Sequence, residues 1–140
     1  MLLRFSLVIL LCTSLTGVAQ QTPISFAQAD TPPVYIDCVT ASKEDTTLCT
    51  VSAIETFAKK KFNTGLFKHL NLNEKRVRVY AQFTITKNGA ISSILVRTAH
   101  PQLEKETKRV LSLLPRFVPG KHQGNVVETR YNLPLIFTLG

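Results

Sequence analysis

Residues 76–86 alternate between apolar and polar side chains with a strict period of two. Such a period places every second side chain on one face of a β-strand. The apolar set is Val77, Val79, Ala81, Phe83 and Ile85. The sequence Lys-Asn-Gly-Ala follows at 87–90, and an Asn-Gly pair accepts the positive φ angles of a tight turn. Residues 76–98 therefore predict an antiparallel hairpin that buries one face, with its second strand at 91–98.

Two stretches have the three- and four-residue apolar spacing of an amphipathic helix. The first runs over residues 50–62, with Thr50 at the N-cap position and three lysines, at 59–61, near the negative end of the helix dipole. The second begins at Pro101, because proline suits a first helical turn, and Pro115 stops it. Its buried stripe is Leu103, Thr107, Val110 and Leu114. Residues 66–72 predict one further short helical turn.

The last strand covers residues 126–139 and again has a period of two. One face carries Val127, Thr129, Tyr131, Leu133, Leu135, Phe137 and Leu139. Pro134 falls in the other set and cannot donate a main-chain hydrogen bond, so this strand fits best at a sheet edge.

The order of elements is helix, strand, strand, helix, strand. Because a strand-helix-strand crossover is right-handed, the simplest arrangement places residues 76–86 between 91–98 and 126–139. We therefore expect an α+β fold, in which a three-stranded antiparallel sheet carries two helices on one face.

The amino terminus has the order of a secretory signal peptide. Arg4 supplies one positive charge, residues 5–11 form an apolar run, and Gly17 and Ala19 are small residues suited to cleavage after Ala19. The apolar run is shorter than the ~20 residues of a spanning helix. We expect a signal peptide at 1–19, an extended lead-in at 20–33 and one domain at 34–140. An uncleaved membrane anchor is the alternative.

Cys38 and Cys49 form an even pair in a chain expected to reach an oxidising compartment. We expect a disulfide between them, which would close a short polar loop and stabilise the fold by roughly 3 kcal/mol. A metal or redox pair is the alternative. Ten intervening residues do not make a Cys-x-x-Cys motif, however, and no histidine is near in sequence.

No motif in the sequence indicates catalysis. There is no Gly-x-Ser-x-Gly and no phosphate-binding glycine loop, and His69, His100 and His122 are far apart. We expect no enzyme activity, no cofactor, no metal site and no small-molecule substrate. The formal net charge of +8 is compatible with acidic proteins, anionic lipid or nucleic acid, but export argues against nucleic acid.

Several segments, in this order and spacing, resemble the TonB C-terminal domain family. They are VRVYAQF at 77–83, KNG at 87–89, ILV at 94–96, LEKE at 103–106, FVPGK at 117–121 and YNLPLIF at 131–137. Upstream, a Pro-Pro-Val sequence, two cysteines around a polar loop and a helix resemble the version found in Bacteroidetes envelope proteins. The resemblance covers roughly residues 32–139. A Tyr-Pro pair usual in the family is here Phe62-Asn63.

The resemblance implies a periplasmic module linked to energy-dependent transport across the outer membrane. Family members bind an extended receptor peptide, the TonB box, by adding it as a strand, so the implied partner is an outer-membrane TonB-dependent receptor or a related envelope protein. A full transducer has a membrane helix and a long spacer. The dozen or so residues between signal and domain are too short to cross a periplasm, so we expect only the receptor-binding end. The alternative is a structural envelope protein that self-associates, for example as a homodimer.

The last strand supplies the expected partner-binding residues. If Leu133 and Leu135 bond inward to the central strand, the alternate residues aim their N–H groups at the open edge. These residues are Val126, Glu128, Arg130, Asn132 and Ile136. Because Pro134 interrupts this row, we expect a partner peptide to pair mainly along 126–132. The alternative role of Pro134 is only to protect the edge from aggregation.

Cleavage of the signal peptide is directly measurable. Intact-mass spectrometry of the exported chain should give a protein that starts at Gln20. Leucine in place of Ala19 should block processing, because the peptidase requires a small residue there. An unprocessed Met1 form in the membrane pellet of cells that make the unaltered chain would favour the anchor.

Overall fold

A computed structural model describes residue 17 and residues 22–39 and 42–139 of the chain. The elements are β1 (Ile24–Ser25), α1 (Lys43–Lys61), α2 (Gly65–His69), β2 (Arg76–Ile85), β3 (Ile91–Arg97), α3 (Pro101–Ser112), β4 (Lys121–His122), β5 (Asn125–Val126) and β6 (Thr129–Thr138). Apart from Gly17, the predicted signal peptide lies outside the described residues.

The main sheet has the strand order β1-β6-β2-β3. β2 pairs antiparallel with both β3 and β6, which confirms its predicted central position. The α+β class is also confirmed. One detail differs, because β1 joins the outer edge of β6 in parallel and makes the sheet four-stranded and mixed. A strand of two residues is too short to show a hydrophobic period, so the sequence pattern did not reveal it.

The period of two on the long strands is confirmed by their burial. The odd-numbered side chains of β2 and of β6 are buried, from Val77 to Ile85 and from Thr129 to Phe137. α3 packs against β2 and β3, and α1 packs against β6 and α3. Burying an aliphatic or aromatic side chain of this size is worth about 1.5–3 kcal/mol each. The helices thus cover one face of the sheet and leave most of the other to solvent.

The first helix begins seven residues earlier than the sequence pattern predicts, at Lys43 rather than Thr50. Ser42 is its N-cap residue, and the Ser42 hydroxyl donates to the Asp45 carboxylate at 2.5 Å. The first two turns are mostly polar, so they lack the apolar spacing that identified the rest. Thr50 is instead fully buried inside the helix, where its Oγ1 accepts a hydrogen bond from the Tyr35 N–H at 3.1 Å.

Cys38 and Cys49 form the predicted disulfide, with their Cα atoms 5.8 Å apart. The bond joins a 3₁₀ turn at Ile36–Cys38 to the second turn of α1. Since Cys38 is 2% exposed, the disulfide belongs to the core and not to a loose surface loop.

The described part of the lead-in, residues 22–33, packs along the domain. Phe26 is buried and meets the Tyr131 ring edge-on, with 5.1 Å between centroids. Just beyond the lead-in, Val34 and Val118 exchange two main-chain hydrogen bonds of 3.0 and 2.9 Å. These contacts hold the chain close to β6 before α1 begins.

The turn between β2 and β3 requires glycine for two reasons. Gly89 has φ of 78°, a conformation that L-residues adopt at a cost. In addition, a Cβ on Gly89 would lie 1.8 Å from the Phe117 carbonyl oxygen, because the Phe117 N–H donates to the Gly89 carbonyl at 2.9 Å. Gly124, in the β4–β5 turn, has φ of 77° but no atom within 4 Å of the same position.

These two glycines provide a matched pair of alanine variants. Gly124→Ala should lower the free energy of unfolding by about 1–2 kcal/mol, the cost of positive φ alone. Gly89→Ala should lower the free energy of unfolding by about 1–3 kcal/mol more than Gly124→Ala does, since the Phe117 backbone must also move. Urea unfolding followed by circular dichroism measures both. Equal losses would contradict the close approach at Gly89.

Candidate protein-binding edge

The five predicted partner-binding residues do not all lie on one strand. Arg130, Asn132 and Ile136 belong to β6, and Glu128 directly precedes it. Val126 belongs to β5, which forms a small hairpin with β4 around the predicted turn at 122–125. The placement of Val126 on the edge is therefore wrong, because the last strand begins only at Thr129.

The hydrogen bonds at the two ends of β6 show which way its main chain faces. The Ile24 N–H donates to the Glu128 carbonyl at 3.1 Å, so Glu128 faces the outer edge. The Leu139 N–H donates to the Lys75 carbonyl at 2.8 Å, on the side of β2. Because main-chain groups alternate along a strand, even-numbered residues of β6 face outward. Leu133 and its odd-numbered neighbours face β2, as expected.

Part of the expected open edge is occupied by the chain itself. β1 pairs Ile24 with Thr129 and Ser25 with Arg130. The Arg130 guanidinium also donates to the Pro23 carbonyl at 3.4 Å. The expectation that 126–132 forms the open row is wrong in this respect, since β1 covers the edge as far as Arg130.

The open stretch of the edge runs over Asn132, Pro134, Ile136 and Thr138. Within the part of the chain that the structure describes, no strand pairs with these four residues on their outer side. They offer four carbonyl acceptors and three N–H donors, because Pro134 has none. Asn132 and Ile136, two of the predicted residues, thus lie in the open stretch, and their binding role stays a prediction.

An aromatic layer supports β6 from the buried side. Tyr131 packs against Phe83 and against Phe26, with ring centroids 5.4 and 5.1 Å away. Phe137 packs against Phe62 at 4.7 Å. Burial raises the pKa of the Tyr131 phenol, and the charge of Glu55 raises it further, so Tyr131 stays neutral at physiological pH. Anchored at both ends, the edge is already extended before any partner arrives, which lowers the entropic cost of binding.

Metal-ligating side chains are scattered over the residues that the structure describes. In residues 22–39 and 42–139, no three His, Cys, Asp or Glu side chains come close enough together to hold a metal ion. His122 lies 3.4 Å from the Asp30 carboxylate, in the β4–β5 hairpin and away from the open edge. None of the helices in the described ranges has the length and apolar composition that a bilayer crossing requires.

Comparison with known families identifies the part of the chain that contains this edge. Residues 69–139 match the family described as the Gram-negative bacterial TonB protein C-terminal domain. The match spans half of the chain and includes β2, β3, α3 and β6. A search of curated proteins gave no match.

The direction of the β6 main chain predicts an alternating pattern of amide hydrogen exchange. The N–H groups of Leu133, Leu135 and Phe137 should exchange at least about a hundredfold more slowly than those of Asn132 and Ile136, because only the first set bonds to β2. Exchange monitored by NMR measures each amide. Uniform protection along 132–137 would mean that something covers the edge.

Proposed function

The chain belongs to the TonB C-terminal domain family, and we propose that it binds envelope proteins in the bacterial periplasm by accepting an extended peptide at the open stretch of β6. The family is one of protein-interaction domains with a role in energy-coupled transport. The proposed partner is an outer-membrane TonB-dependent receptor, and the proposed ligand is the TonB box segment of that receptor. No catalytic role, cofactor or small-molecule substrate forms part of the proposal.

The unpaired main-chain groups of residues 132–138 carry this proposal. Three donors and four acceptors point outward from a strand whose other side is fully paired with β2. Strand addition uses such groups for affinity and the neighbouring side chains for specificity. Each main-chain hydrogen bond contributes about 0.5–1.5 kcal/mol net, so a peptide that spans the stretch gains several.

The disulfide supports the proposed location. Bonds between cysteines persist in oxidising compartments such as the periplasm and are rare where thiols are kept reduced. Cys38–Cys49 is moreover buried at one end, so it contributes to the folded state that must present β6.

A proline and an alanine substitution at one position, Ile136, test strand addition. Ile136→Pro removes an outward donor and places a ring against the incoming strand, while Ile136→Ala removes the side chain and keeps the donor. With peptides that carry a TonB box, Ile136→Pro should weaken binding by about tenfold or more. Calorimetry measures the affinities, and circular dichroism checks the fold.

The control variant and Pro134 decide the outcome. Ile136→Ala keeps the donor and removes only an exposed side chain, so it should weaken binding clearly less than Ile136→Pro does. Pro134→Ala restores the missing donor and should tighten binding. If Ile136→Pro binds as well as the unaltered chain while it remains folded, strand addition at this edge is wrong. If Pro134→Ala forms dimers in sedimentation and gains no affinity for peptide, the edge serves self-association instead.

A further inference from the structure

The solvent-facing side of the sheet carries a mixed apolar and cationic surface, most of which lies on β2 and β3, away from the β6 edge that strand addition uses. We call it the open face and define it by Arg78, Tyr80, Leu95, Arg97, Pro134 and Ile136. Leu95 is 63% exposed, Tyr80 51% and Ile136 42%. A shallow cleft of about 600 Å³ lies between Tyr80, Leu95 and Pro134.

The strand register arranges these side chains around one aromatic ring. Tyr80 lies directly across from Arg97 on β3 and from Pro134 on β6. Residues opposite each other on paired strands are about 5 Å apart, and residues two apart on one strand about 7 Å apart. Arg97 and Arg78 therefore stand on two sides of Tyr80, each close enough to contact a ligand group that packs on the ring.

These two arginines lie on strands that carry no acidic side chain. β2, β3 and β6 contain no Asp or Glu, so the nine carboxylates of the chain lie elsewhere. Within the described ranges neither Arg78 nor Arg97 forms an ion pair. On the helices, where acidic residues are present, some cations are paired: Lys108 lies 2.9 Å from Glu104 and Lys59 lies 2.9 Å from Glu55. The open face thus presents two cations with no carboxylate on its own three strands to balance them.

Residues of these types are the ones that protein interfaces favour. Arginine and aromatic residues are enriched at the centres of interfaces. A guanidinium is weakly hydrated and binds a carboxylate through two parallel hydrogen bonds. An apolar platform with a cation on two sides therefore complements an apolar side chain with a carboxylate on either side.

We propose that the open face binds an acidic protein segment in which carboxylate side chains flank an aromatic or aliphatic one. A second copy of this chain does not fit, because two open faces would bring their arginines together. A nucleic acid fits poorly, since Tyr80 is the one aromatic ring on the open face on which a base could stack. The segment would lie across the strands, so this contact goes beyond strand addition at β6.

Charge reversal on the open face tests the proposal against an equal change elsewhere. The probe is a fluorescent peptide of alternating glutamate and phenylalanine, with a glutamine-for-glutamate analogue beside it. The test variant is R78E/R97E in the exported chain. The matched control is K60E/K105E, which alters the same net charge at two exposed lysines on the helices.

The acidic peptide should bind to the unaltered chain. R78E/R97E should weaken the affinity for this peptide by about tenfold or more, while the control should change that affinity by less than about threefold. Leu95→Ser, at a solvent-facing position, should weaken the affinity for the peptide severalfold. Equal losses in the two double variants would overturn the proposal, as would equal binding of the glutamine analogue. The proposal would also be overturned if binding of an oligodeoxythymidine or of an anionic lipid vesicle required Arg78 and Arg97 while binding of the peptide did not. R78E/R97E keeps all β6 donors, so this proposal and strand addition can fail separately.

Discussion

The antiparallel pairing of β2 with β6 is the constraint on which the rest of this structure depends. Ten residue pairs run without a break from Arg76 opposite Thr138 to Ile85 opposite Thr129. Every second pair buries both of its side chains, so a shift by one residue would turn the whole apolar set toward solvent. The same register holds Tyr80 between its neighbours on the open face. It also fixes which β6 groups are used inward and which remain for a partner.

The sequence predicts the parts of the fold that have a long, regular period. β2, β3, β6 and α3 follow from alternation or helical spacing, and the disulfide follows from two cysteines in a chain expected to be exported. The start of α1 was missed because residues 43–49 are mostly polar and helical order there is signalled by capping and charge. β1 was missed because two residues carry no period and its pairing depends on how Phe26 packs in three dimensions.

The sequence predicts that the last strand has an unpaired edge, but not which of its residues remain unpaired. Pro134 correctly marked a strand with an unpaired outer side, since its missing N–H faces outward in the structure. The open residues could not be delimited, because the chain's own Ile24 and Ser25 cover the edge at Thr129 and Arg130. The open face is not visible in the sequence, since it arises from side chains on three strands that only the register brings together. Family membership and an unpaired, pre-extended strand thus support the same mode of recognition.

Binding by strand addition can be observed directly with the isotope-labelled chain and a peptide that carries the TonB box of an outer-membrane receptor. Nuclear Overhauser contacts should connect the peptide backbone with the main-chain protons of Asn132, Ile136 and Thr138. The amides of these residues should become protected, while those of Leu133 and Leu135 stay as they were. A bound peptide whose contacts lie entirely elsewhere, with the exchange of the β6 amides unchanged, would contradict strand addition at this edge.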